Sequence, residues 1–345
     1  MGEPTLEVLV TLDFPADFLD AVRDAAPGVV VHHHPVDPES ESARADPSSA
    51  VPAELLARAE VMYTSSVLPG PELAPRLRWA QLDTSGIDHV RGTGLWDGAV
   101  EITTLGGVSP SPLAEWIVMM VLAHAHHLRR TEELARAATW PTRQERWNGL
   151  MPRNLRQSTL AVAGFGRIGR EVARLARELG MDVVAVRRGS ALAGEQRFGA
   201  VPEVSGVRER PLSDLAEALR DADYVVLTVP LTHETRGMVD AALLAQLKPG
   251  VVLINGSRGG VVDEQALLPL LDDGRVDLYA SDVFEQEPLP ADHPFWRHPR
   301  VVVTPHVAGF APDYLDAVTR LFTENLRRYA AGEPLLNRAD RERGY

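Results

Sequence analysis

The sequence predicts an α/β protein of two domains, a β/α series followed by a doubly wound domain built on a parallel sheet with helices on both faces. Three observations predict it. Short strands rich in β-branched residues alternate with helical stretches from Leu6 to Thr104, and the series restarts at Gln157. The 345 residues suffice for two domains of ordinary size. In the second series an apolar run, a glycine-rich turn and an amphipathic stretch follow one another at residues 160–180.

The first series reads as strands at 6–12, 29–33, 61–64, 77–82 and 100–104, with helices at 16–25 and 54–59. Residues 35–52 are rich in Pro, Ser, Asp and Glu and read as a solvated loop. Residues 112–126 are helical and apolar nearly all round, the pattern of a buried helix. The charged stretch 129–156, carrying Trp140 and Trp147, reads as an arm or interface segment, with packing on the chain's own body as the alternative. From Gln157, strands at 160–163, 182–186, 223–229, 251–255, 277–281 and 301–304 alternate with helices at 167–179, 213–220, 240–246 and 263–272. A last amphipathic helix spans 311–330 and is expected to return to the first domain.

Leu160–Ala163 is the strand that leads into Gly164-Phe165-Gly166-Arg167-Ile168-Gly169, and Gly180 is placed to end the helix. This strand–GxGxxG–helix order is the context a dinucleotide-binding fingerprint requires. The first glycine allows the tight turn, the second lets backbone approach a pyrophosphate, and the third lets helix pack on strand. The helix start, at Arg167 and Ile168, offers free N–H groups and a positive dipole end to phosphates.

The end of the next strand sets the choice between NAD and NADP. There the chain has Arg187, Arg188, Gly189 and Ser190, and the first acid after them is Glu195. Two guanidiniums and a hydroxyl suit a 2′-phosphate, which predicts NADP(H) in preference to NAD(H). Two ordinary surface arginines are the alternative.

Four further stretches begin at the C-terminal ends of predicted strands, the edge where open α/β sheets bind ligands. They are Thr228–Thr235, with Val229, Pro230 and Thr235 as cofactor contacts; Ile254–Asp263, with Gly256, Ser257 and Arg258; Ser281–Pro288, with Asp282 and Glu287; and Thr304–Gly309, with His306. Reducing a 2-oxo acid needs a cation for the carboxylate and carbonyl, a proton donor, and a group that tunes the donor. Arg258 offers a planar fork. His306 can give a proton near neutral pH, and Glu287 beside it would favour the imidazolium.

The motifs G-F-G-R-I-G, V-P-L-T-x-E-T, N-x-S-R-G-G-x-V-D, D-V-F-x-x-E-P-L-P and T-P-H-x-A-G together resemble the D-isomer-specific 2-hydroxyacid dehydrogenase family, in its order and spacing, over about two-thirds of the chain. The resemblance implies Arg258, Glu287 and His306 as the catalytic trio and Asp282 at the nicotinamide. It implies a Rossmann-type cofactor domain at 108–308, and a flavodoxin-like substrate domain at 1–107 and 309–345. In the latter, Ser85, Gly86 and Ile87 fall in a loop that resembles the family's carboxylate-binding loop. A homodimer is implied too. Thr104-Leu-Gly-Gly107 stands where the family usually shows Asn-x-Pro-Gly. The expected activity is NADP(H)- or NAD(H)-linked interconversion of a small 2-oxo acid and its D-2-hydroxy acid, of the glyoxylate or hydroxypyruvate kind. A nucleotide-sensing, corepressor-like scaffold and a formate or phosphite dehydrogenase share the fold and are the alternatives.

Composition bounds the rest. The net charge of −13, with no basic block, makes nucleic acid a poor partner. With no cysteine there is no thiol catalysis and no thiolate metal site. No apolar run is long enough to span a membrane, and the N-terminus lacks a signal-peptide core, so a cytoplasmic protein is expected. No metal is expected. His32–His34 reads as a strand running into Pro35, and His124, His126 and His127 as surface groups at a helix end. Asp263 reads as a helix cap.

Overall fold

The structure is a computed structural model that describes residues 5–37, 40, 46–189, 197–199, 201 and 203–345. It divides into two compact units, one of Met1–Val108, Leu192–Ala200 and Ala311–Tyr345, the other of Ser109–Ala191 and Val201–Phe310.

The first unit carries strands β1 (Leu6–Val10), β2 (Val29–His33), β3 (Val61–Thr64), β4 (Trp79–Leu82) and β5 (Glu101–Thr103), with helices α1 (Ala16–Arg23) and α2 (Ala53–Arg58). The strands are all parallel, in the order β2-β1-β3-β4-β5, the flavodoxin-type arrangement. β1, β3 and β4 are buried throughout because helices cover both faces. One face packs on α1 and on the C-terminal helix, with Phe18, Tyr63, Trp79 and Phe322 in a single aromatic cluster. The other face packs Leu56, Met62, Leu82, Ile87 and Leu95. Within the expected loop 35–52, residues 38, 39 and 41–45 lie outside the described residues, and Pro47–Ala50 forms a short 3-10 turn. The three strand histidines are taken up locally: His32 by Glu7, His33 by the carbonyl of Leu12, His34 by that of Ala50.

The second unit begins with α3 (Pro110–Ala125), α4 (Leu128–Arg136) and α5 (Arg143–Gly149). Its sheet is formed by β6 (Thr159–Ala163), β7 (Asp182–Arg187), β8 (Val207–Pro211), β9 (Tyr224–Leu227), β10 (Val251–Asn255), β11 (Val276–Ser281) and β12 (Val301–Val303). Helices α6 (Arg167–Glu178), α7 (Leu215–Arg220) and α8 (Glu264–Asp272) connect them. The order β12-β11-β10-β9-β6-β7-β8 is all parallel and reverses direction between β6 and β9, as in the Rossmann-type doubly wound fold. Helix α9 (Tyr314–Ala331) returns to the first unit, where Val318, Leu321, Phe322 and Leu326 are fully buried.

Three features depart from the sequence reading. β8 was not anticipated, because most of its residues are exposed and no apolar alternation marks it. His124 is not a surface group. The last turn of α3 passes over the starts of β9 and β11, and its ring lies 3.0 Å from Asp277 Oδ2 and 3.4 Å from the Tyr224 hydroxyl. Phe198 packs half-buried against the first unit's core, and its N–H donates to Asn337 Oδ1 at 3.0 Å, although the sequence reading places residues 108–308 in one domain.

Candidate functional site

Each functional side chain of the second unit is set by the turn that follows a buried strand. After β6 the three glycines divide into two roles. A Cβ on Gly164 would sit 2.7 Å from the Thr228 backbone, and its φ of +103° already favours glycine. A Cβ on Gly169 would lie 2.0 Å from the Gly164 carbonyl oxygen. A Cβ on Gly166 would meet nothing within 4 Å, and Gly166 is exposed at the N-cap of α6. Two glycines therefore let the chain pack on itself, whereas the middle one keeps an accessible helix N-terminus open to close approach. The residues fit a dinucleotide pyrophosphate.

Past β7, Arg187 Nε lies 2.6 Å from Glu209 Oε2 on β8, and the Arg188 guanidinium bonds Glu234. Ser190 lies outside the described residues. After β9, Val229 is buried and Pro230 half-buried. The Thr235 hydroxyl is used inside that turn, donating to the Pro230 carbonyl at 2.6 Å and accepting from the Thr232 N–H at 2.8 Å. After β10, Gly256 lets Leu113 and Ile117 of α3 pass over the strand end. Asn255 Oδ1 there accepts from both the N–H and the hydroxyl of Ser257 (3.1 and 2.7 Å), and its Nδ2 donates to the Arg258 carbonyl at 3.1 Å. The Arg258 backbone is held in this way, and its side chain is half-buried. Gly259 then packs so closely on the next turn that a Cβ would overlap the Phe284 carbonyl carbon at 1.8 Å.

That next turn carries Glu287. Its Oε1 accepts from the Phe284 N–H at 2.9 Å, and its Oε2 lies 2.7 Å from His306 Nδ1. His306 has a φ of +55°, a conformation that costs a non-glycine residue about 1 kcal/mol. Asp282 holds the backbone there. Its carbonyl accepts from the His306 N–H at 2.9 Å. Its carboxylate takes the Thr304 hydroxyl (2.6 Å) and the Val307 and Ala308 N–H groups (3.0 Å each). No local pattern in the chain signals that this carboxylate is buried and engaged by the histidine turn.

The charges follow from the contacts. The hydrogen bond to Glu287 raises the His306 pKa, against burial and the nearby Arg258 cation. Burial pushes Glu287 up, but its bonds from His306 and Phe284 and the charges of His306 and Arg258 outweigh this and leave it below the usual range. Both shifts favour an ionised pair. Beneath it, Glu264 at the start of α8 is buried and accepts from the Glu285 N–H at 3.1 Å. Burial, with Glu285 and Glu287 nearby, pushes its carboxyl up to about 7. A buried carboxylate was not legible from sequence, where Asp263-Glu264 reads only as a helix start. Asp263 does cap α8, accepting from the Ala266 N–H at 2.9 Å.

In the first unit the candidate carboxylate loop follows β4. Ser85 is exposed, Gly86 half-buried, and Ile87 buried in the core. Among the described residues no group of three or more His, Asp or Glu is placed to hold a metal ion, and no helix is long and apolar enough to cross a membrane.

Residues 118–308 match the family model described as D-isomer specific 2-hydroxyacid dehydrogenase, NAD binding domain. The glyoxylate reductase of Aeropyrum pernix is 31% identical over 271 residues, 78% of each chain. The crystal structure of a D-isomer specific 2-hydroxyacid dehydrogenase from Xanthobacter autotrophicus Py2, in complex with NADPH and MES, superposes with a TM-score of 0.79 at 29% identity, over 99% of this chain and 100% of that one. An NADPH-dependent glyoxylate/hydroxypyruvate reductase from Sinorhizobium meliloti, in complex with NADP and sulfate, gives 0.78 at 28% identity, over 98% and 99%. By motif, strand order and near full-length similarity, this chain belongs to the D-isomer specific 2-hydroxyacid dehydrogenase family of NAD(P)-dependent oxidoreductases.

Proposed function

We propose that the chain reduces a small 2-oxo acid of the glyoxylate or hydroxypyruvate kind to the D-2-hydroxy acid, with NADPH preferred to NADH. The observation that carries the reading is the His306–Glu287 pair, 2.7 Å apart, an oriented proton donor kept charged by a carboxylate. Arg258 grips the substrate carboxylate and polarises the carbonyl. The backbone of Ser85, Gly86 and Ile87 is the first unit's own candidate for a carboxylate-binding loop. His306, with Nδ1–H donated to Glu287, delivers a proton from Nε2 to the new hydroxyl. In the oxidative direction neutral His306 takes that proton back. The nicotinamide, when bound, supplies or accepts the hydride. Asp282 keeps the histidine turn in its left-handed conformation beside the nicotinamide site.

In this reading the second unit holds the dinucleotide and the first holds the substrate. Gly164, Gly166, Arg167, Ile168 and Gly169 border the pyrophosphate, and the strand-end backbones at Val229, Pro230, Gly256 and Ser257, with the turn Thr235 shapes, border the rest. Arg187, Arg188 and Ser190 take the 2′-phosphate, which would replace Glu209 and Glu234 as partner of the guanidiniums. The names of the Aeropyrum and Sinorhizobium proteins support the substrate class, and the NADP in the latter supports the cofactor. We further propose a cytoplasmic homodimer. Its contact surface would be the segment around α4 and α5, where Leu128, Trp140, Trp147 and Met151 are exposed and neither helix has a buried residue.

The test is the loss of NADPH absorbance, and separately of NADH, against glyoxylate, hydroxypyruvate, pyruvate and phenylpyruvate. Turnover with NADPH favoured is expected, and Arg187→Asp should move the ratio toward NADH. His306→Ala should lower kcat by about a hundredfold or more with cofactor affinity unchanged. Binding of either cofactor without turnover of any 2-oxo acid would overturn the assignment.

A further inference from the structure

Three segments of the first unit meet at one carboxylate oxygen. Asp83 directly follows β4, and its N–H donates to the Thr64 carbonyl at the end of β3 (2.8 Å). Its Oδ1 accepts from the Tyr63 hydroxyl at 2.7 Å and from the Tyr314 hydroxyl at 3.3 Å. Tyr63 is fully buried in β3, edge-on to Phe14, Phe18 and Phe322. Tyr314 opens α9. A phenol set in a packed aromatic cluster has little freedom to move, so its hydroxyl is a fixed point for whatever it binds. Burial raises the pKa of Asp83, and the two phenolic hydrogen bonds oppose it. Burial pushes both tyrosines up as well, so the hydroxyls stay protonated as donors.

The residues after Asp83 are the candidate carboxylate loop, and they are tied down from the same side. The Thr84 carbonyl accepts from the Leu105 N–H at 2.9 Å, and the Thr84 hydroxyl donates to the Gly86 carbonyl at 2.6 Å. Asn337, beyond α9, donates from Nδ2 to the carbonyls of Thr104 (3.1 Å) and Gly106 (2.8 Å). The C-terminal segment thus acts here twice, through Tyr314 on Asp83 and through Asn337 on the 104–106 backbone, whose Leu105 N–H holds Thr84. No motif quoted for the family includes Tyr63, Asp83 or Tyr314.

We propose that Tyr63, Asp83 and Tyr314 form a positioning triad that fixes the 84–87 loop in the geometry that binds the substrate carboxylate. This rests on the reading of that loop as the carboxylate site. A fixed donor loop binds without first being ordered, so the triad acts on substrate affinity. Tyr63, Asp83 and Tyr314 belong to the first unit, whereas the cofactor turns and His306 belong to the second, so the triad is expected to leave the chemical step and cofactor binding alone.

Steady-state kinetics with NADPH and glyoxylate test this, on the full chain, for Tyr314→Phe, Asp83→Ala, Asp83→Asn and Ser85→Pro, with melting curves for each. Tyr314→Phe should raise KM for glyoxylate about five- to tenfold, the loss of one hydrogen bond to a charged group, and Asp83→Ala, which removes both phenolic bonds, by at least as much, with kcat and KM for NADPH within about twofold in each. Asp83→Asn, which keeps an acceptor oxygen for the phenols, should recover most of the affinity. Ser85→Pro removes an N–H of the loop itself and should raise KM for glyoxylate whatever the triad does. If Ser85→Pro raises KM while Tyr314→Phe and Asp83→Ala only lower the melting temperature, the triad is structural and the inference fails, with the loop reading intact. If a folded Ser85→Pro leaves KM unchanged, the loop reading fails and the inference falls with it.

Discussion

His306 and Glu287 show how a single contact sets two ionisations in one direction. The carboxylate holds the imidazole charged, and the imidazole keeps the carboxyl ionised. Reduction needs the protonated ring, so reductive turnover is held above the ordinary histidine range and is lost as pH rises through the raised pKa. Glu287→Gln removes the anion that favours the imidazolium. The alkaline limb of kcat/KM for 2-oxo acid reduction should therefore move to lower pH, and an unmoved limb would show that another group sets it. Glu264 has the opposite sign of linkage. Its carboxyl rises from an ordinary 4.5 to about 7 on folding, so the folded state binds the extra proton. Stability is greatest below the unfolded value and falls as pH climbs toward 7, by about 3 kcal/mol in all. Glu264→Gln should raise the melting temperature at pH 8 and barely change it at pH 5. An equal change at both would sever the link to ionisation.

At the scale of elements, the glycine turn after β6 separates fold from binding. Gly169→Ala must displace the Gly164 carbonyl and should lower the melting temperature. Gly166→Ala has open space for its methyl and should leave the melting temperature unchanged while weakening NADPH, as read by fluorescence titration. Equal losses of stability from both would contradict the distinction. The same scale shows what could be read from the chain. β1, β3, β6, β9 and β10 are legible because each is a short, largely apolar run that the fold buries almost throughout, and α6 because Ile168, Val172, Leu175 and Leu179 repeat at helical spacing. β8 is not, since Val207–Pro211 forms an exposed edge whose role lies in Glu209 reaching Arg187. Motif spacing brought Arg258, Glu287 and His306 to one sheet edge. The carboxylate of Asp282 turned inward, and the buried charge of Glu264, depend on tertiary contacts that no local pattern encodes.

At the scale of the molecule, two parallel sheets share one chain, and the segment from α4 to α5 lies outside both cores. Trp140 is 86% exposed and Trp147 64%, more than a soluble surface usually leaves uncovered within eight residues. If the proposed homodimer forms through this segment, replacing both with Ser should shift sedimentation toward the monomer without changing the far-ultraviolet circular dichroism. An unshifted dimer would place the contact elsewhere.

The return of α9 to the first unit also orders events during synthesis. Residues 109–191 and 201–310 emerge from the ribosome with the whole second sheet in hand. The first sheet emerges earlier, yet one of its faces is covered only by α1 and lacks α9. Phe18, Tyr63 and Trp79 lack Phe322, and Thr103 lacks its bridge to Arg338. A chain ended at residue 310 and released would therefore carry every strand of the second sheet together with an aromatic surface of the first unit still open to chaperones. The part made first is the part completed last.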